Sequence, residues 1–528
     1  MSEVNLQGLG EQSNDGLNTT MKRTMQEYDT ALKACGFGLF HIRLLCSSFV
    51  GMASGIVITN TAPYILPNAE CDLKMNLIQK GLLNAMPYSG MIVISVIAGF
   101  LTDTFGRKIF LVLGYGGLFL CTFTSGMSQS YLVLVTAKFC EGILFAISFT
   151  SLLALTSEFC HNGIRDRIML LQSSFAAIAQ IIVALISWAI LPNNWKSTSF
   201  FNGTIVLNTW NYYLLIMSLF PISACIMYSF LPESPKYYIT QKRYDEARET
   251  LLKIYKQNTR KSVDDYPFVN IWKDKNKLTI DETPEHEAPK SFCHMLSVGF
   301  HNVKPVFHRP LGLYLLLFCT MNFFIMNMFN VIRLWFPQLS TIVEHYADEN
   351  NQDLCVMLDT YTHDLRMKNL NATPDDICVP KISGTETYIN SIILGSICIV
   401  PYVIGGVLVN KVGKKNLFIV CGILCVATTL ALRWANSKIA IVALFSTITA
   451  LGQIELSLNQ FMVIDQFPTT TRSLAIGFVM TIGRIGSLIG NIMFPVLLNI
   501  GCIVPFFTIA GTMTIVTLLS FVIPAKKK

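Results

Sequence analysis

Four ionisable residues, Lys138, Glu141, Glu455 and Arg484, sit inside stretches that are otherwise apolar. A charge at the centre of a bilayer costs several kcal/mol unless it is paired or wet, so each marks a place where chemistry is done or a structural pair is made. Lys138 and Glu141 are three apart, on one face of a helix, and read as a mutual ion pair that either faces a cavity or clamps neighbouring helices. Arg484 lies among small residues in Gly483-Arg484-Ile485-Gly486-Ser487 and either binds an anionic solute group or pairs with Glu455. Glu455, with Gln453 and Asn459 nearby, is the acid best placed to bind a cation or carry a proton, or else to be satisfied by Arg484. Asn60, Asn322, Asn327 and Asn330 are uncharged donors and acceptors suited to lining a cavity, while Phe323, Phe324 and Trp335 either stack on a ligand or pack. None of this is catalytic machinery. A phosphate-cradling glycine loop with Lys and Ser or Thr is absent, the His residues lack metal spacing, and the Cys residues form no CxxC pairs, so no enzyme activity, cofactor or metal is expected.

A second set of residues recurs. Gly99-Phe100-Leu101-Thr102-Asp103-Thr104-Phe105-Gly106-Arg107-Lys108 has a degenerate copy in Gly405-Gly406-Val407-Leu408-Val409-Asn410-Lys411-Val412-Gly413-Lys414-Lys415. Gly99 permits close helix approach, Gly106 a tight turn, and Asp103 a hydrogen bond to a base or a helix N-terminus, with Arg107 and Lys108 following. Such a latch would hold helix ends together in one conformation and release them in another. Asn410 replaces the acid in the copy. Likewise Glu158 precedes Arg165 by seven, as Asp465 precedes Arg472, and each acid is expected to pair with its base across a short turn.

The elements that must carry these residues are apolar runs of about 20, the length of a membrane-spanning helix. Twelve are expected: His41–Leu66, Gly81–Leu101, Ile109–Thr124, Tyr131–Leu155, Leu170–Leu191, Trp210–Leu231, Pro310–Phe336, Tyr388–Val409, Asn416–Trp434, Ile439–Val463, Ser473–Leu498 and Ile503–Val522. Hydrophobic residues are 52% of the 528 and charged residues only 14%, with mean hydropathy +0.48. Soluble domains carry about a quarter charged residues. An all-α membrane protein follows, and barrel strands are excluded by the lack of alternation. The net charge of +7 is spread by topology, so nucleic-acid binding is not expected. The partners are a lipid bilayer and a small-molecule solute, with or without a coupling ion, and the expected state is a monomer.

Lys and Arg concentrate after the second, fourth, eighth and tenth spans and at the C-terminus, which puts both termini in the cytoplasm. The chain divides into a tail (1–40), a six-helix bundle (41–231), a central cytoplasmic loop (232–309), a second bundle (310–522) with an acidic outer loop at 337–387, and a short tail (523–528). From the polar N-terminus no cleavable signal is expected, and the first span is expected to act as its own insertion signal. In the central loop, Arg243–Lys256 reads as an amphipathic helix that lies on the membrane, covers the ends of the spans, or is a solvated linker. Asn202 and Asn371 are glycosylation acceptors on the outer side, and Cys355 and Cys378, in one outer loop, are a candidate disulfide.

With these motifs in place, the chain resembles the major facilitator superfamily, in its sugar-porter and organic-ion-transporter branch. Tyr28-Asp29-Thr30-Ala31-Leu32, Cys35-Gly36-Phe37-Gly38-Leu39-Phe40-His41 and Leu66-Pro67-Asn68-Ala69-Glu70-Cys71-Asp72-Leu73 are similar to the synaptic vesicle glycoprotein 2 family. The resemblance implies two six-helix bundles that rock about a central cavity. It also exposes departures: the first span lacks an acid between Ala53 and Asn60, Lys138 stands where the family has Arg, and Gln460 stands where it tends to have an acid. The function implied is secondary transport of a small organic solute, an organic ion among the options, by alternating access. The alternative is a vesicle or membrane glycoprotein scaffold with little transport; a facilitator without ion coupling is a third.

Overall fold

Backbone in lipid must satisfy its own hydrogen bonds, and the apolar runs do so as helices. The computed structural model describes residues 23–193, 195, 198–200, 205–273, 307–346, 353–371, 382–400, 408, 411–467 and 472–523. After a short helix at 23–34 (α1) come α2 (Leu39–Ala69), α3 (Leu77–Phe105), α4 (Arg107–Gly126), α5 (Tyr131–Glu158) and α6 (Asn162–Ile190). A two-stranded antiparallel ribbon, β1 (Thr198–Phe200) and β2 (Ile205–Leu207), precedes α7 (Thr209–Met217) and α8 (Leu219–Ser229), which together form the sixth span. Two short helices, α9 (Pro235–Thr240) and α10 (Tyr244–Thr259), follow. The second half contains α11 (Leu311–Tyr346), α12 (Leu354–Asn371), α13 (Thr385–Ile397), α14 (Lys414–Ala431), α15 (Lys438–Gln466), α16 (Arg472–Ile500) and α17 (Ile503–Val522). Ten described segments are long and apolar enough to cross a membrane. With α3 and the described part of the eighth span, α13, they complete the twelve-helix plan, six to each half.

Local chemistry fixes the helix starts in register between the halves. Ser130 caps α5 by accepting the Val133 amide, and Ser437 caps α15 by accepting the Ala440 amide. Gly106 (φ +100°) and Gly413 (φ +88°) start α4 and α14, each in a backbone conformation that favours glycine. Asn76 and Gln79 close a reciprocal capping box at the start of α3, at 2.8 and 2.9 Å.

Across the two halves α3 packs on α16, α6 on α13 and α2 on α11. The two halves touch at the end of the bundle away from the termini, hereafter the outer face. A Cβ on Gly81 of α3 would lie 2.5 Å from the Asn491 carbonyl of α16, beside Pro495 and Trp335. Nearby, Tyr64 of α2 stacks on Tyr388 of α13, with ring centroids 6.2 Å apart.

The ribbon and α12 were not expected from the sequence. The seventh helix also continues through Pro337 to Tyr346, well beyond the expected end at Phe336. α12 buries Leu354, Met357, Leu358 and Tyr361 against the second-half core, in what reads as an acidic loop. Its acids serve as local anchors: Asp353 Oδ1 accepts the Cys355 amide at 2.9 Å and Asp359 Oδ1 accepts the Cys502 amide at 3.0 Å. The expected Cys355–Cys378 pairing is corrected. Cys355 is bonded to Cys502, with Cα atoms 5.2 Å apart. Cys502 sits at the N-cap of α17 and not within the span, so it reaches the outer face where α12 begins. Cys71 is also disulfide-bonded. Cys378 and Asn202 lie outside the described residues, and Asn371 is the last residue of α12.

On the opposite, terminal face, α10 spans Tyr244–Thr259, close to its expected limits, and buries Ala247, Leu251, Ile254 and Tyr255. It covers helix ends together with α1, whose Tyr28, Ala31 and Leu32 join the same core. Tyr266 Oη donates to the Ala31 carbonyl at 2.8 Å, and Trp272 Nε1 to Glu27 at 3.0 Å. Cys35 is sealed in this cap, and burial pushes its thiol up to about 11, so it serves as packing.

Candidate functional site

The loop between α3 and α4 meets the chain that leaves the sixth span. Glu233 of Pro232-Glu233-Ser234-Pro235-Lys236 accepts the Arg107 amide at 3.2 Å and the Lys108 amide at 2.9 Å, an anion on the N-terminus of α4. Gly106 is what lets it in, because a Cβ there would lie 2.5 Å from the Glu233 carboxylate. The Arg107 guanidinium pairs with Glu158 at 3.2 Å and lies over the Tyr237 ring at 5.5 Å. Lys236 approaches the same carboxylate at 3.8 Å. In the second half Lys414 pairs with Asp465 at 2.5 Å. The repeat is therefore Arg107–Glu158 and Lys414–Asp465, bases from the glycine turns against acids at the ends of α5 and α15.

The expected Glu158–Arg165 turn pair is not the arrangement found. Arg165 instead donates to the carbonyls of Ser157 and Cys160 at 3.1 and 3.2 Å, binding the end of α5 through backbone. Gly99 and Asp103 lie in the last turns of α3, and Arg472 opens α16.

Lys138 and Glu141 form an ion pair at 2.8 Å with both side chains at 0% exposure. Lys138 also donates to Thr61 of α2 at 3.1 Å, and Glu141 accepts from Ser125 of α4 at 2.8 Å. Three helices of the first half are thus joined through one buried pair, the clamp and not the cavity-facing version. Every partner is in place, as a buried pair requires.

Between the halves the side chains are polar and connected. Tyr88 of α3 donates to Asn330 Oδ1 of α11 at 3.0 Å, and Arg333 of α11 donates to Tyr88 Oη at 3.1 Å and Asn330 Oδ1 at 3.0 Å. Asn330 Nδ2 donates to Ser487 of α16 at 2.8 Å. Arg484 of α16 donates to Ser95 of α3, another link across the halves. Beside this seam lies a small, partly open cavity lined by Asn60, Pro63, Tyr64, Gln180, Arg333, Phe336, Pro337, Ser391 and Leu394. Both halves contribute to its wall.

The remaining expected residues are inside the second half. Asn322 donates to the Val479 carbonyl at 2.8 Å and accepts from Asn459 at 3.3 Å. Asn327 packs its amide against Gly490. Glu455 is at 0% exposure, and neither carboxylate oxygen has a hydrogen-bond partner among the described residues. The Glu455–Arg484 pairing considered above is not formed, since Arg484 turns to Ser95. Trp335 packs on Phe494 at 5.2 Å, as core.

A profile of the Major Facilitator Superfamily matches residues 44–354 and 380–528. The chain belongs to this superfamily. Synaptic vesicle glycoprotein 2A of Rattus norvegicus is 27% identical over 238 residues, 44% of this chain and 32% of that protein. Synaptic vesicle glycoprotein 2C of Mus musculus is 26% identical over 265 residues, 50% and 36% respectively. The matched stretch is about a third of the length of these relatives. Among solved structures, the xylose transporter XylE from E. coli, in a partially occluded inward open conformation, superposes with TM-score 0.63 at 13% identity, over 92% of this chain and all of that one. The nucleoside transporter NupG gives 0.55 at 10% identity, over 92% and all of that chain. These likenesses confirm the fold, that of a multi-pass membrane protein of this superfamily.

In this superfamily member, sequence reasoning passed over Arg333. The signal was present, a lone arginine in the run Asn330-Val331-Ile332-Arg333-Leu334-Trp335 within an apolar span. Tyr88 was equally silent, because a tyrosine in a span reads as packing until its hydroxyl partner is known.

Proposed function

We propose that this protein is a secondary transporter that carries a small organic solute between the two halves by alternating access. One observation carries the reading: a cavity shared by both halves, beside a seam in which Tyr88 donates to Asn330, Arg333 donates to Tyr88 and Arg484 donates to Ser95. A bundle built only to anchor would bury apolar side chains there. Described contacts at the outer face, Gly81 on Asn491 and Tyr64 on Tyr388, are those of a conformer closed on that side. The terminal-face pairs Arg107–Glu158 and Lys414–Asp465 stiffen each half as a rigid body. We place the terminal face in the cytoplasm, because Lys and Arg concentrate there and the disulfide-bonded Cys71, Cys355 and Cys502 lie on the other side. A single chain contains the whole cavity, which fits a monomer.

The test is uptake and counterflow of radiolabelled solutes by the purified full chain in liposomes. Flux that saturates supports the reading; no flux across anionic, neutral and cationic solutes contradicts it. A membrane glycoprotein scaffold is the second reading, favoured by α12, an extra helix held to the outer face by the Cys355–Cys502 bond. It predicts partner capture that survives loss of flux.

A further inference from the structure

The wall of the central cavity has donors without acceptors. Asn60 of α2 is 5% exposed, and its Nδ2 has no partner. Arg333 of α11 keeps its Nε buried and unpartnered, while its other contacts are the neutral Tyr88 hydroxyl, the Asn330 carbonyl and the face of Phe329 at 5.2 Å. Both residues line the same cavity, from opposite halves. At the same interface a second guanidinium, Arg484, is also held by a neutral partner, the Ser95 hydroxyl.

The described carboxylates of the spans are engaged or placed elsewhere. Glu141 is on Lys138, Glu70 on Lys80 at 2.7 Å, and Glu344 on the Gly384 amide and Thr387 hydroxyl at 2.9 Å each. Glu455 lies inside the second half, near Cys421 and Cys425 of α14. Two positive charges therefore stand along the interface with no described counter-charge, in a setting where an unpaired ion is costly.

We propose that this cavity binds a small organic anion, its charged oxygens bridging Arg333 and Asn60 while Arg484 adds positive potential along the same interface. The proposal deepens the transporter reading and rests on it. A planar oxyanion matches the donor fork of a guanidinium. Tyr64, Phe336, Pro337 and Leu394 offer an apolar wall for the organic body. An anion at this point ties α2 to α11 and so favours the closed outer face.

The experiment uses the full chain in liposomes and five membrane-impermeant probes: phthalate, benzenesulfonate and phenyl phosphate as anions, xylose as a neutral solute and benzyltrimethylammonium as a cation. The expected result is saturable uptake of at least one anion. R333Q should lower its initial rate more than tenfold, and Arg333→Lys should restore part of it. Asn60→Asp places a carboxylate among the free donors; it should abolish anion uptake equally while melting at or above the wild-type temperature. That combination separates a ligand contact from a merely structural residue, and it stands even if R333Q does not fold. Uptake of xylose or benzyltrimethylammonium without any anion overturns the anion assignment and leaves the transporter reading standing. Anion uptake that Asn60→Asp does not change also overturns it. No uptake of any of the five overturns both.

Discussion

A buried ion pair is stable only as a pair, which makes Lys138 and Glu141 the sharpest residue-scale test. Lys138→Met leaves a carboxylate at 0% exposure with only Ser125 for company and should cost about 3–5 kcal/mol. The double change Lys138→Met with Glu141→Leu should recover most of that loss, read as the melting temperature of the detergent-solubilised protein. A double variant no more stable than the single one contradicts the clamp. Glu233→Ala removes the anion that caps α4 and should cost about 1 kcal/mol, with little effect on expression. The pairs themselves were only partly legible. Lys138–Glu141 is local in sequence and could be read from spacing. Arg107–Glu158 could not, because its partners are 51 positions apart and meet only when α4 and α5 pack, whereas Arg165, close to Glu158 in sequence, is drawn to the carbonyls of Ser157 and Cys160 at the end of the preceding helix, α5.

Elements add a second level of control. α3 and α16 close the outer face at Gly81, where any side chain meets the Asn491 carbonyl at 2.5 Å. Gly81→Val should therefore hold the two halves apart on that side without unfolding either. Thiol reagents from the outer side should then modify a cysteine introduced at Ser391, at a rate at least tenfold above the same cysteine in the parent chain. An unchanged rate contradicts the closed-outer assignment. α12 depends on its covalent tether: Cys502→Ser opens a loop that spans 147 residues and should remove up to about 5 kcal/mol on the chain-entropy account, read as a lower melting temperature. The spans were legible because about 20 apolar residues in lipid have one solution. α12 was not, because its apolar residues are few and its acids suggest solvent, although they serve as caps and anchors. The ribbon before α7 was silent for a similar reason, since three-residue strands have no readable period.

For the whole molecule the repeat is the organising fact. Gly106 with Gly413, Ser130 with Ser437, and Arg107–Glu158 with Lys414–Asp465 show two halves built on one plan. That plan was visible in the motif copies, whereas the cavity between the halves was not, because it is assembled from α2, α6, α11 and α13 at long sequence separation. Rocking of the halves is most directly followed by distances between them. Nitroxide pairs at Lys74 and Asn436 on the outer face, and at Gln241 and Lys411 on the terminal face, report both ends, with the exposed Cys46 and Cys140 replaced by serine. Pulsed dipolar spectroscopy in lipid should give two distance populations at each face. Gly81→Val should lengthen the outer pair and shorten the terminal pair together. A single distance at both faces, unmoved by Gly81→Val, would contradict alternating access.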